Sequence, residues 1–271
     1  AYAIAAILGM FATLGLPNVL TRELAQEQKE HLFPTLLSLQ IGLGALVLGV
    51  LGGAGVFLLW ANNPVVAQSL LLLLLFFWAQ AVFLFIAAFF HARQRMEYEA
   101  AVRITSALLL LLVALFVLQT APGVWQLAAA YAVVGTVSLV GVLLLFHFRV
   151  HKLSFSMDWP TWKHFLSLSW PVALTVIGGS LLGHVDSVML GLFGQVTETG
   201  WYNAGYRIAS LAIVPAVLIG TSFSPVLSRE VGSSLSLLRS VFFKYLALMA
   251  GSGIPLTVAV VWLAPFAVAL L

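Results

Sequence analysis

The stretch SLLLLLLFFWAQAVFLFIAAFF, Ser69–Phe90, carries no charged side chain from end to end. A helix needs about 20 mostly apolar residues to cross roughly 30 Å of hydrocarbon, and this stretch has that length. A strand of a membrane barrel would alternate apolar and polar residues at every second position, which this stretch does not do. It reads as a membrane-spanning helix, and the whole chain is composed to match. Of 271 residues 62% are hydrophobic and 8% charged, with mean hydropathy +1.09. A soluble domain carries roughly a quarter charged residues.

The same criterion picks out eight runs, near 1–20, 33–60, 65–91, 100–119, 124–148, 164–193, 201–227 and 241–271. Turn chemistry separates them: NNP at 62–64, APG at 121–123, DWP at 158–160 and GQVTETG at 194–200. The expected fold class is all-α, a polytopic integral membrane helical bundle. The absence of cysteine excludes a disulfide framework and a thiolate metal site. His31, His91, His147, His151, His164 and His184 share no ligand spacing, so no metal or other cofactor is expected. The twelve Lys and Arg are scattered over short connections and form no stripe for nucleic acid.

Those cations set the orientation. Arg22 and Lys29 follow the first run; Arg93, Arg95 and Arg103 flank the connection after the third. Arg149, Lys152 and Lys163 follow the fifth, and Arg229, Arg239 and Lys244 the seventh. The alternate connections, 61–64, 120–123 and 194–200, carry none. An excess of Lys and Arg marks the cytoplasmic side, so a multi-pass protein of the cytoplasmic membrane is expected, with its basic loops inside. Trp60, Trp125 and Trp201 fall at the opposite ends, where amphipathic rings favour the headgroup layer.

Two junctions resemble each other: LPNVLTREL (16–24) and SPVLSREV (224–231) both end a run with Pro, a hydroxyl residue, Arg and Glu. Either the chain holds a parallel duplication, or both are the same common way of ending a helix. A first residue other than Met and a last one inside an apolar run lead to the expectation of a fragment of a longer protein. On the duplication reading, 1–150 is an N-terminal bundle lacking its first helix and 151–271 the start of a second bundle.

One charge stands out inside a run. GHVDSVML, Gly183–Leu190, holds Asp186, and Arg207 lies within the next run. With residue 197 as the centre of the connection, the two stand at nearly equal distances from it and so at similar depth. Gly179 and Gly183 share the helical face of Asp186 in a small-xxx-small pattern for close helix approach. Asn203 and Ser210 extend the face of Arg207. A charge at a helix centre costs about 2.5–3.5 kcal/mol, so each must face a partner or water. Two readings stay open: an ion pair that holds the hairpin, or the polar wall of a translocation cavity. Gln80 and Trp78, mid-membrane in the third run, face either that cavity or a neighbouring helix. HARQRMEYEAAVR (91–103) reads as a solvated interfacial turn, and Pro171, Pro215 and Pro255 as kinks.

LGLPNVLTRELA (14–25), HARQRMEYEAAVRI (91–104), SWPVALTVIGGSLLGHVDSVMLGLFG (169–194) and GWYNAGYRI (200–208) together resemble the polysaccharide exporters, the O-antigen-flippase-like oligosaccharide flippases. These belong to the multidrug/oligosaccharidyl-lipid/polysaccharide exporter superfamily. The resemblance implies two bundles of six or more helices around a cavity open alternately to each side. Its implied cargo is a polyprenyl-pyrophosphate-linked oligosaccharide, moved without covalent chemistry, hence no enzyme and no catalytic residue. It implies an acidic cavity position at Asp186 and a basic one at Arg207, with Asn203, Tyr206, Ser210 and Gln80 as further cavity candidates. Expected partners are the lipid-linked oligosaccharide, membrane lipids and a coupling cation, H⁺ or Na⁺. The same architecture serves multidrug extruders and exporters of peptidoglycan lipid intermediates. A membrane-embedded glycosyltransferase would need acids on an outer loop, where Glu198 is the sole carboxylate.

Overall fold

The computed structural model describes residues 1–27, 30–60, 64–93, 95–149, 154–230 and 235–270. Lys29, Lys152 and part of the NNP turn lie outside them, as do the side chains of the SPVLSREV junction. All regular structure among the described residues is helical. The helices are α1 (Tyr2–Thr13), α2 (Leu16–Glu27), α3 (Phe33–Val47), α4 (Gly53–Trp60), α5 (Pro64–Ala92), α6 (Met96–Thr120), α7 (Val124–Arg149), α8 (Trp159–Leu192), α9 (Val196–Glu230) and α10 (Leu235–Leu270). Seven helical spans among the described residues are long and apolar enough to cross a bilayer; α1–α2 and α3–α4 each form one of them. The eighth expected run lies in α9, whose side chains are described only in part. The chain is a polytopic helical membrane bundle.

Packing divides it into two compact units, Ala1–Val188 and Met189–Leu271. The boundary expected at 150/151 concerns a duplication and is a separate matter. In the first unit the uncharged stretch Ser69–Phe90 forms most of the central helix. Along α5, Ala81–Phe83 and Phe85–Phe90 are all buried, with α1, α2, α3, α4 and α7 packed against the helix. A helix hydrophobic on every face is either enclosed by protein or a membrane span, and this part of α5 is enclosed.

Successive residues of α5 point about 100° apart, and FFW at 76–78 uses this to engage three neighbours. A Cβ built at Gly135 of α7 would lie 2.7 Å from Phe76 Cδ2; at Gly9 of α1, 2.8 Å from Phe77 Cβ; at Gly44 of α3, 2.9 Å from Trp78 Cδ1. Each aromatic side chain sits where any other residue would place a methyl group. Toward the basic end, Phe33, Phe85, Phe89 and Phe146 form a cluster, with Phe33 stacked on Phe146 at 4.8 Å between centroids. By contrast the apolar part of α6 is not buried; Leu108, Leu111, Leu112, Leu115 and Phe116 are exposed.

The first span is interrupted. Leu14 (φ 42°) and Gly15 (φ 69°) are both left-handed, and Pro17 sits in the first turn of α2, where its missing N–H costs nothing. Beyond the break Leu16, Val19, Leu20 and Leu24 are buried, and the Thr21 hydroxyl reaches Pro17 O at 2.9 Å and Ala88 O of α5 at 3.4 Å. A second irregularity, the π-helical turn Leu48–Gly52, separates α3 from α4. Pro171, Pro215 and Pro255, the positions where kinks are expected, lie inside α8, α9 and α10.

Helix α8 begins as DWP suggests: Asp158 O accepts from Trp162 N at 3.0 Å, and its carboxylate accepts from the Thr161 hydroxyl. Its first half docks on the core through Phe165, Ser169 and Ala173, one turn apart. Trp162 Nε1 donates to Thr35 O at 3.0 Å. In the second unit, α9 and α10 pack as a pair.

Gly15→Ala should lower the thermal midpoint in detergent by an amount equivalent to about 1–3 kcal/mol. The new Cβ would enter a left-handed conformation and lie 3.0 Å from Ala173 N. Gly42→Ala, where a Cβ meets nothing within 4 Å, should leave the midpoint unchanged or raise it.

Candidate functional site

The polar residues singled out in the sequence fall on three helices. On α9, Asn203, Arg207 and Ser210 stand at i, i+4 and i+7, and therefore on one face. Asn203 Nδ2 donates to Thr199 O at 2.7 Å, and the Ser210 hydroxyl to Arg207 O at 2.8 Å. Each thus donates to a carbonyl of its own helix. Asn203 and Ser210 are half-buried, and Arg207 and Tyr206 exposed. Tyr206 stacks on Tyr202 with centroids 6.1 Å apart.

Asp186 lies on the second half of α8 and is exposed, next to the buried Ser187. A Cβ at Gly179 would meet nothing within 4 Å, so the close approach expected from small-xxx-small spacing is not made there. Gln80 is half-buried on α5. Trp78, two residues earlier, belongs to the packing with α3: its Nε1 donates to Ile41 O at 3.4 Å. Asp186 and Gln80 belong to the first unit and the α9 stripe to the second.

The turn between α8 and α9 is shorter than the sequence suggests. Gly194 takes φ 75°, with Gln195 N donating to Leu190 O at 3.1 Å, a Schellman ending. Helix α9 begins at Val196, not near 201, and places Glu198 in its first turn, where the helix dipole favours a carboxylate. The turn is therefore centred on Gly194 rather than residue 197, and Arg207 stands further from it along the chain than Asp186 does.

One ionic cluster is not apparent from the sequence. HARQRMEYEAAVR is no merely solvated turn: Glu99 in the first turn of α6 is 7% exposed. Its Oε1 accepts from Arg103 Nε at 2.6 Å, and its Oε2 pairs with His91 Nε2 at the end of α5. The Arg103 guanidinium lies 5.3 Å over the Phe83 ring, and that of Arg93 5.8 Å over Phe89. The i, i+4 spacing of Glu99 and Arg103 is visible in the sequence; the return of His91 across the turn is not. Among the described residues no three His, Asp or Glu stand together as metal ligands.

The chain is thus a polytopic helical bundle with few charges in its spans and a basic, ion-paired turn. The family model described as polysaccharide biosynthesis protein matches residues 1–231. The chain belongs to this family. Its members are O-antigen and polysaccharide flippase-like proteins, generally transporters rather than enzymes. Membership places the chain in polysaccharide biosynthesis or export, as a multi-pass membrane protein. No curated protein and no solved structure matches it.

Glu99→Gln should weaken the joint between α5 and α6 by about 1–3 kcal/mol, because a buried charge-assisted acceptor is removed while both partners remain. Thermal unfolding in detergent should show the drop, and Glu97→Gln, an exposed carboxylate on the same turn, should change it little.

Proposed function

We propose that the protein moves a polyprenyl-pyrophosphate-linked oligosaccharide from the cytoplasmic to the outer leaflet of the cell membrane. Family membership over residues 1–231 carries this reading. The obstacle is the cost of taking sugar hydroxyls and a pyrophosphate out of water. A protein-lined polar path lowers that cost without making or breaking a bond, so no catalytic residue is required.

Arg207 has the chemistry to meet such a headgroup. Its guanidinium keeps its charge in a low-dielectric setting and matches phosphate oxygens with a planar fork of donors. Asn203 and Ser210 continue the same face by a turn each way, and Tyr206 offers a flat, hydroxyl-bearing ring to a sugar. In this reading Asp186 and Gln80 are further polar groups available to a passing headgroup. The passage lies between bundles that include 1–150 and 151–271. Rocking of the bundles exposes it alternately to either side, with a gradient of H⁺ or Na⁺ giving direction.

Arg207→Ala, in cells lacking their own copy of the gene, should cut surface polysaccharide by about tenfold or more, the worth of one charge-assisted phosphate contact. Arg207→Lys should restore part of it, and membrane abundance should match wild type in both. Normal surface polysaccharide in the alanine variant would count against the cavity role; loss of the protein from the membrane would make Arg207 a structural group.

The chain has no cysteine, so single introduced ones report topology directly. Thr197→Cys should react with an impermeant maleimide on intact cells, and Arg95→Cys only after permeabilisation. The reverse pattern would invert the orientation.

A further inference from the structure

The break at Leu14–Gly15 interrupts the span Tyr2–Leu24 well inside its ends. The last carbonyls of α1 there lack the amides that a continuous helix would bring to them. One of these, Ala12 O, is taken by a side chain: Gln40 Nε2 of α3 donates to it at 2.8 Å. The Thr13 hydroxyl turns back to donate to Met10 O at 2.8 Å.

Gln40 is fully buried, at 0% exposure. Its amide cannot be turned over, because that would set oxygen against Ala12 O in place of a donor. Oε1 is thus fixed as an acceptor, and it is buried with no partner. Such an orphan costs about 1–3 kcal/mol, with no hydrocarbon group able to relieve it. The neighbouring indole N–H does not help: Trp78 Nε1 is directed at Ile41 O.

The oxygens at the break share one character. Gln40 Oε1 is an unpaired acceptor; Thr13 has spent its only proton and keeps lone pairs; Ala12 O has a second lone pair beyond the one Gln40 uses. All are hard, neutral oxygens, with no carboxylate to balance a divalent ion and no nitrogen or sulfur to select a transition metal. The ligand that completes such a set is small, positively charged and brings no acceptor of its own. Interrupted membrane helices with free carbonyls are places where transport proteins hold alkali cations.

We propose that the break in the first span is a sodium site, with Gln40 Oε1 as its side-chain ligand and the end of α1 supplying backbone oxygen. Bound sodium satisfies the orphaned amide and ties α3 to the interrupted helix, so the ion and the packed form of the first unit stabilise each other. The site deepens the transport reading by naming one cation and its place, yet its test reads binding and not transport. An error about cargo would leave its outcome untouched.

The experiment is thermal unfolding of the purified full chain in detergent, exchanging choline for sodium or potassium at constant ionic strength. In wild type the midpoint should rise saturably with sodium, by about 4 °C or more at about 100 mM, and less with potassium. Gln40→Leu should abolish the sodium response, and Gln40→Glu, which adds a formal charge to the ligand set, should bring half-saturation to about tenfold lower sodium. Equal midpoints in sodium and choline would overturn the proposal in favour of a buried water on Gln40 Oε1, as would a full sodium response in Gln40→Leu. Should the leucine variant fail to fold, Gln40→Glu decides: unchanged half-saturation overturns the site.

Discussion

Inside a bilayer the lipid tails are as apolar as leucine, so helices gain nothing simply by hiding hydrocarbon from hydrocarbon. What holds them is close van der Waals fit, which needs small residues opposite large ones. The first unit meets that requirement around α5, where Phe76, Phe77 and Trp78 each lie on a glycine of a different helix. One helical turn thereby sets the approach of α7, α1 and α3 together. The phenylalanine cluster at the basic end repeats the fit with aromatic edges and faces. Contacts between α5 and α2, and the docking of the first half of α8, follow from where those helices stand.

Polar groups are handled by a complementary economy. Hydroxyls of Ser69, Ser106, Ser138 and Thr136 return to the carbonyl one turn back on their own helix, which satisfies them without a partner. Glu99 lacks that option and is held by Arg103 and His91 at the interface, where long side chains can keep their charged heads near water. Gln40 goes further inward and replaces a missing backbone amide. Asp186 and Arg207, within α8 and α9, are exposed.

The spans were legible because hydrocarbon thickness imposes a length and forbids charge, and a single run such as Ser69–Phe90 reports both. Family membership was legible from four separated segments, LGLPNVLTRELA through GWYNAGYRI, in the order the family keeps. The interruption at Leu14–Gly15 was not, since LGLP inside an apolar run looks the same whether the chain ends a helix, bends or restarts. Nor was the pairing of FFW with Gly135, Gly9 and Gly44, which depends on three helices distant in sequence. The start of α9 was misplaced because QVTETG has the composition of a loop, while Glu198 and Thr199 suit a first helical turn as well. Glu99 has the polar neighbours of a solvated residue, and only the fold returns His91 to it.

The interrupted first span also bears on how the protein is made. Its halves, Tyr2–Thr13 and Leu16–Glu27, are each too short to cross a bilayer as a helix. The bend joining them is braced by Val172 and Ala173, far along the chain. Until the ribosome has delivered α8 to the membrane, the elbow is held only from the side of α3 and α5, through Gln40 on Ala12 O and Thr21 on Ala88 O. The earliest of these helices to be synthesised therefore completes its packing only when a much later one arrives, and until then one side of its bend stays uncovered.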